Sequence, residues 1–140
     1  MTVSSRTIRI AAALLIAGDG RTLLVRKRGT EAFMQPGGKI EAHEQPLQAL
    51  VRELQEELGL IVDPAQASYL GAFAAPAANE PGFTVEAEVF LLPIEQAVSP
   101  EAEIEEVLWL DPHQETQVPL APLTRDLILP FYCNSLQTPA

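Results

Sequence analysis

GKIEAHEQPLQALVRELQEELGL, residues 38–60, contains a helix that carries its own start and stop signals. Pro46 suits a first helical turn, where its missing N–H is not needed. Gly59 suits the stop, and nothing between the two breaks a helix. At 3.6 residues per turn, Leu47, Leu50, Val51, Leu54 and Leu58 share one stripe roughly 100° wide, which must face a core. Glu53, Glu56 and Glu57 fall in a second sector beside it, spaced i, i+3 and i+4. Unpaired like charges at that spacing destabilise a helix by a few tenths of about one kcal/mol, so something must offset them. Arg52 offers Glu56 an i, i+4 partner, as a plain surface helix would use. A hard divalent cation offers another solution, since Mg²⁺ takes oxygen ligands, keeps waters and bridges to phosphates. The preceding Met34-Gln35-Pro36-Gly37-Gly38-Lys39 is a tight Pro-Gly-Gly turn that lets backbone approach the helix start closely. A merely acidic helix has no need of such a turn, and this favours the metal site.

Upstream, Arg6 and Arg9 precede the apolar run Ile10 to Ala17, which could pass for a short secretory signal. Asp19-Gly20 follows directly, however, as a strong hairpin turn, and Arg21 to Arg26 reads as a return strand. The run is also too short to span a bilayer. The expectation is a β-hairpin from about Thr7 to Arg28, although the alanines locally favour helix. In its second strand Arg26 and Arg28 point to one face and Lys27 to the other.

Downstream, Ile61-Val62 and Tyr69 to Phe73 read as short strands around a Pro64 turn, and Ala74 to Ala78 is alanine-rich with Pro76. Asn79-Glu80-Pro81-Gly82 is a turn. Phe83 to Leu92 alternates as a long strand, with Phe83, Val85, Ala87, Val89 and Leu91 against Thr84, Glu86 and Glu88. Ser99 to Glu106 is an acidic loop, and Val107 to Leu110 a strand closed by Asp111-Pro112. Leu120 to Tyr132 forms a closing helix with Leu123, Leu127, Ile128 and Phe131 on one side, which Pro130 should end or kink. His43 and His113 are isolated and receive no role.

The 140 residues suit one domain, 1–140, with a real core, and at 47% hydrophobic and 20% charged the composition is that of an ordinary globular protein. A net charge of −10 without a basic stripe argues against long nucleic acid as a partner. Small phosphorylated ligands remain compatible with it, because a bound metal can carry the positive charge. The single cysteine, Cys133, excludes an intramolecular disulfide and suits a reducing, cytoplasmic setting. No partner in a membrane is expected, and the chain is expected to be a monomer or homodimer.

The spacing G-x5-E-x7-R-E-U-x-E-E-x-G-U, with U a bulky aliphatic, is met at all nine specified positions: Gly38, Glu44, Arg52, Glu53, Leu54, Glu56, Glu57, Gly59 and Leu60. It resembles the Nudix box, the signature of the Nudix hydrolases, and the surrounding order of elements supports the same resemblance. The run Glu103 to Leu110 is similar to a segment many Nudix proteins carry there. The resemblance implies an α/β (α+β) fold, a Nudix-like α/β/α sandwich with a mixed β-sheet between helices. It implies Mg²⁺- or Mn²⁺-dependent hydrolysis of a nucleoside diphosphate linked to another moiety.

Carried over position by position, Glu56 and Glu57 are metal ligands, with the Gly37 carbonyl a third. Glu53 either shares the metal or acts as the base, and Arg52 orients a glutamate through a charge-assisted hydrogen bond. Glu44 either serves the helix dipole or touches a second metal or its waters. Gly38 supplies backbone geometry, and Lys39 holds a nearby carboxylate. A loop glutamate, Glu101 or Glu103, is a further metal ligand or base in some members. Arg26, Lys27 and Arg28 either reach substrate phosphates or remain solvated, and Phe33 and Met34 form a base-facing wall or simply core.

The substrate stays open between a nucleoside triphosphate, oxidised or not, and an ADP-ribose-like compound. The compact chain favours the first, and Pro76, 16 residues beyond Leu60, the second. The alternatives are a catalytically silent Nudix domain that binds a nucleotide or a protein partner, and an acidic, metal-buffering interaction domain. The intact set Arg52, Glu53, Glu56 and Glu57 argues against silence.

Overall fold

The computed structural model describes residues 6–78, 80–114 and 116–136. The apolar run that begins at Ile10 is part of a strand, and its place at the centre of a sheet explains its composition. β1 (Thr7–Ile16) pairs in parallel with β5 (Thr84–Pro93) along its whole length, from Thr7 opposite Thr84 to Ile16 opposite Pro93. Ala11, Ala13 and Leu15 face one layer, Ala12 and Leu14 the other, and all five are buried. A strand covered on both faces reads as a continuous apolar run, so tertiary packing overrides the local helix preference of alanine.

The expected hairpin holds only at its turn. β2 (Thr22–Lys27) meets β1 at Thr22 opposite Ile16, and the strands then part. The segment before the helix fills the gap. Val25 and Met34 exchange backbone hydrogen bonds of 2.8 and 2.9 Å, Ala13 N–H donates to the Pro36 carbonyl, and β3 (Gly37–Lys39) pairs antiparallel with Ile10 to Ala12. The insertion satisfies inward backbone groups of both strands, which a continuous hairpin would have paired with each other.

The remaining strands are β4 (Ser68–Pro76) and β6 (Ile104–Leu110), giving a mixed six-stranded sheet in the order β4-β5-β1-β2-β6 with β3 also on β1. Three boundaries differ from expectation. Ile61-Val62 is not a strand; it leads to a short 3₁₀ turn, Pro64–Gln66, which Asp63 caps by accepting from Ala65 N–H. β4 runs on through Pro76, tolerated because the strand lies at the sheet edge. β6 begins at Ile104 inside the acidic stretch, with Ile104 buried while Glu105 and Glu106 face out. Of the expected turn at residues 79–82, Asn79 lies outside the described residues.

Helix α1 (Pro46–Leu58) covers one face. Leu50, Leu54 and Leu58 are fully buried with Ala11, Ala13, Leu15, Leu23, Val25 and Phe90, while Val51 sits at the rim. Its start is a capping box in which Gln45 N–H donates to the Gln48 side chain at 2.8 Å. It ends as punctuated, with Gly59 left-handed at φ 65° and Leu60 N–H reaching back to the Leu54 carbonyl.

The closing helix, residues 123–136, covers the other face through Leu123, Ile128 and Tyr132 against Ala12, Leu14, Ala87 and Val89. Pro130 does not end it. The chain winds in wider i→i+5 turns at Leu123–Ile128 and Tyr132–Leu136 around a short α stretch, Leu129–Phe131, so Leu129 N–H bonds the Thr124 carbonyl. Such turns let a helix pass a residue that lacks a donor. The result is the α/β/α sandwich. Among the described residues, no helix is long and apolar enough to cross a membrane.

Candidate active site

β3 is a strand with almost no side chains, and that is what brings it against α1. A Cβ on Gly37, whose φ is +147°, would overlap the carbonyl oxygen of Ala11 on β1. A Cβ on Gly38 would land on the carboxylate of Glu53. With neither present, Gly37 N–H donates to Glu57 Oε1 at 3.3 Å, and the Glu53 carboxylate lies directly on the Gly38 backbone.

The three glutamates of the second helix sector thus separate. Glu57 is 6% exposed. Burial pushes its carboxyl up to about 7, helped by the nearby charges of Glu53 and Glu103 and opposed by Lys27 and the Gly37 N–H. Glu53 is 17% exposed and Glu56, 55% exposed, leans toward solvent. Arg52 offsets much of this charge. It grips Glu44 with two bonds, Nε to Oε2 at 2.7 Å and Nη2 to Oε1 at 2.8 Å. It also donates through Nη1 to Glu53 at 3.0 Å and to Glu56 at 3.3 Å, and through Nη2 to the Lys39 carbonyl at 3.2 Å. Glu44 accepts Glu41 N–H as well, and the Arg52 contact first, then this one, lower its carboxyl to about 2. Glu44 is therefore the anchor of Arg52 in this arrangement.

Among the described residues, no three His, Cys, Asp or Glu side chains converge closely enough to hold a metal ion, and Glu56 is engaged by Arg52 instead. The donor set nevertheless fits a hard cation. Glu57 is a buried carboxylate with one long amide contact and no ion pair among the described residues, and Glu53 lies beside it with its charge felt at Glu57. An isolated buried carboxylate is costly, and either a proton or a cation relieves it.

Of Arg26 and Lys27 on β2 and Arg28 just beyond it, only Lys27 lines the adjoining cavity. Arg26 is bound to Glu106 at 3.0 Å and to the Thr30 carbonyl, and Arg28 to Glu105 at 3.3 Å, both on the outer side of β6. Of the two loop glutamates, Glu103 is the one whose charge Glu57 feels, whereas Glu101 lies by Gly59 at the helix end. Phe33 is core, packed with Leu24, Leu110 and Leu129, while Met34 lines the cavity. Lys27→Met is expected to lower kcat/KM about tenfold, some 1.4 kcal/mol of lost phosphate attraction. Arg28→Gln, on a surface pair, should change it by less than about twofold. Steady-state hydrolysis assays on both variants check this; equal losses would put the phosphates elsewhere.

The cavity, about 150 Å³, lies against the other side of the Gly37-Gly38 backbone from the helix glutamates. Ile8, Ile10, Met34, Val85 and Leu123 make much of its wall apolar, and the charged residues on it are Lys27 from β2, Lys39 from β3 and Glu80. Gln35 and Thr124 also line it and were not legible as site residues in the sequence. No local pattern marks them, since only the topology brings β1, β5 and the closing helix around one space.

The sequence model of the NUDIX domain matches residues 6–130. The chain is 30% identical to the CTP pyrophosphohydrolase of Escherichia coli (strain K12) over 140 residues, covering 96% of this chain and 98% of that protein. It is 45% identical over 71 residues to the RNA pyrophosphohydrolase of Halorhodospira halophila, covering 50% of this chain but 38% of that protein's length. Among solved structures, the MutT NUDIX hydrolase from Burkholderia pseudomallei superposes with a TM-score of 0.72 at 28% identity, over 86% of this chain and 95% of that one. With the domain matched nearly end to end and the box assembled at the Gly37-Gly38 turn, this chain belongs to the NUDIX domain family.

Proposed function

We propose that the chain is a pyrophosphohydrolase that cleaves a diphosphate bond of a nucleoside triphosphate, oxidised or not, with Mg²⁺ or Mn²⁺ required. One observation carries this reading: Glu57, buried and, among the described residues, bound only by the Gly37 N–H, sits across a two-glycine backbone from a cavity that Lys27 lines. The near full-length relative named CTP pyrophosphohydrolase favours a triphosphate substrate over the ADP-ribose-like class. Pro76 at the cavity wall is the feature that supports the second class.

Glu57 and Glu53, with Glu56 and the Gly37 carbonyl, would hold the cation. When bound, such a cation neutralises phosphate charge and lowers the pKa of an attacking water. The chain's own residues supply the rest. Arg52, anchored on Glu44, fixes the Glu53 carboxylate against Gly38. Lys27 attracts the phosphates, and the apolar walls take the nucleoside. Glu53 or Glu103 accepts the proton of the water at a carboxylate oxygen.

A product-resolved hydrolysis screen tests this. Normal and oxidised nucleoside triphosphates, ADP-ribose, nucleotide sugars and dinucleoside polyphosphates would be offered with Mg²⁺, with Mn²⁺ and with chelator. Metal-dependent release of a nucleoside monophosphate and pyrophosphate from a triphosphate is the expected result. No turnover of any compound, with nucleotide binding by calorimetry, would favour the silent binding module.

A further inference from the structure

Gln35 is 6% exposed and lies at the cavity wall in the Pro-Gly-Gly turn, 89 residues from its partner Thr124. The Thr124 hydroxyl donates to Gln35 Oε1 at 2.7 Å. The other end of the amide, Nε2, is shielded from solvent and has no hydrogen-bond partner among the described residues. Native proteins rarely leave two N–H donors unpaired at a buried site, because each one sacrifices its bonds to water on folding. Of the acceptor side chains on the cavity wall, Thr124 serves Oε1 and Glu80 makes no bond to Nε2, while Ile8, Ile10, Val85 and Leu123 can accept none. The terminal torsion of a glutamine is broad, so its amide can turn toward a ligand within its rotamer.

We infer that Gln35, positioned by Thr124, reads the base of the bound nucleotide: Nε2 donates to a ring or carbonyl acceptor on the base edge. Oε1 keeps a second lone pair for a neighbouring N–H of the same base. An amide presented this way matches an edge that sets an acceptor beside a donor, the pairing by which Asn and Gln recognise bases elsewhere. The inference rests on the reading of this cavity as the nucleoside site. It adds what selects the base, which the box residues do not touch.

The test compares Gln35→Met, Thr124→Val and Thr124→Ser with the unmodified protein. Each is assayed for kcat and KM on ATP, GTP, CTP and UTP and on the base-free ribose 5-triphosphate, and melted without ligand. Gln35→Met keeps the volume and removes the amide. It is expected to raise KM for the best nucleotide roughly 10- to 100-fold, the worth of a hydrogen bond to an otherwise unpaired buried group. Its kcat and its use of the base-free compound should stay within about threefold, and preference among the four bases should flatten. The ligand-free melting temperature should rise, since the unpaired donor is gone. Thr124→Val should raise KM in the same direction, and Thr124→Ser should restore it.

Unchanged base preference with a lowered melting temperature would make Gln35 a packing residue and overturn the inference. If the unmodified protein hydrolyses none of these compounds, the hydrolase reading falls separately. Calorimetric affinities for the same nucleotides then decide about Gln35, and absent or unaltered affinities would overturn its role too.

Discussion

Glu57→Gln is expected to reduce turnover by orders of magnitude and, in the same sample, to raise the melting temperature of the metal-free protein at pH 8. The two effects share one cause. Burial holds the Glu57 carboxyl at about 7 in the folded state, against an ordinary value of 4.5. Between those values the unfolded chain has already released its proton while the folded chain still holds it. Stability therefore falls as pH rises from about 4.5 to about 7 and levels off above. The shift corresponds to about 3 kcal/mol at most. Glutamine keeps an oxygen for the Gly37 N–H and carries no charge, so it avoids that loss; the variant's gain should be largest at pH 8 and vanish near pH 4. A divalent cation binding only the folded state should raise the melting temperature of the unmodified protein and hardly affect the variant. Thermal melts across that pH range, with Mg²⁺ and with chelator, alongside hydrolysis assays, check all three points. A variant that melts lower than the parent at pH 8 would mean that Glu57 is stabilised as a carboxylate without metal.

The local half of this site was legible in the sequence, and the tertiary half was not. Pro46, the Leu50-Leu54-Leu58 stripe and Gly59 fix α1 because helix period and punctuation act within a few residues. The Arg52–Glu56 pair follows from i, i+4 spacing for the same reason. The sequence gives Glu53, Glu56 and Glu57 equal standing, however. What ranks them is how far each lies from β3, a strand whose position depends on β1 and β2 opening after a single pair. The start of β6 was hidden because its outward positions are glutamates, and the acidic run masks the alternation that begins at Ile104. The passage of the closing helix over Pro130 depends on i→i+5 turns, which no residue pattern announces. Arg26 and Arg28 look as available to phosphate as Lys27 until β6 is placed beside β2, where Arg26 lies opposite and binds Glu106 and Arg28 binds Glu105.

The two glycines of β3 should respond to alanine in opposite ways, and that contrast tests the geometry of the whole site. At Gly37 both the left-handed φ and the Ala11 carbonyl forbid a Cβ, and the obstacle is the backbone of the central strand. β1 cannot yield, because it is paired with β5 from end to end. Gly37→Ala must therefore displace β3 and release its bonds to Ile10 to Ala12, at a cost of about 3–5 kcal/mol. For a domain of this size that lowers the melting temperature by roughly 10–15 °C. At Gly38 the obstacle is the far end of a flexible side chain, the Glu53 carboxylate. Gly38→Ala should cost less than about 1 kcal/mol, since Glu53 can swing aside. The swing moves the carboxylate from its place under Arg52, and a displacement of that order at a reacting centre can cost about 10²-fold in rate. Melting curves and hydrolysis rates for the two variants thus separate scaffold from chemistry. A Gly38→Ala protein with full activity would remove Glu53 from the reaction and leave Glu57 and the loop glutamate Glu103 to carry it.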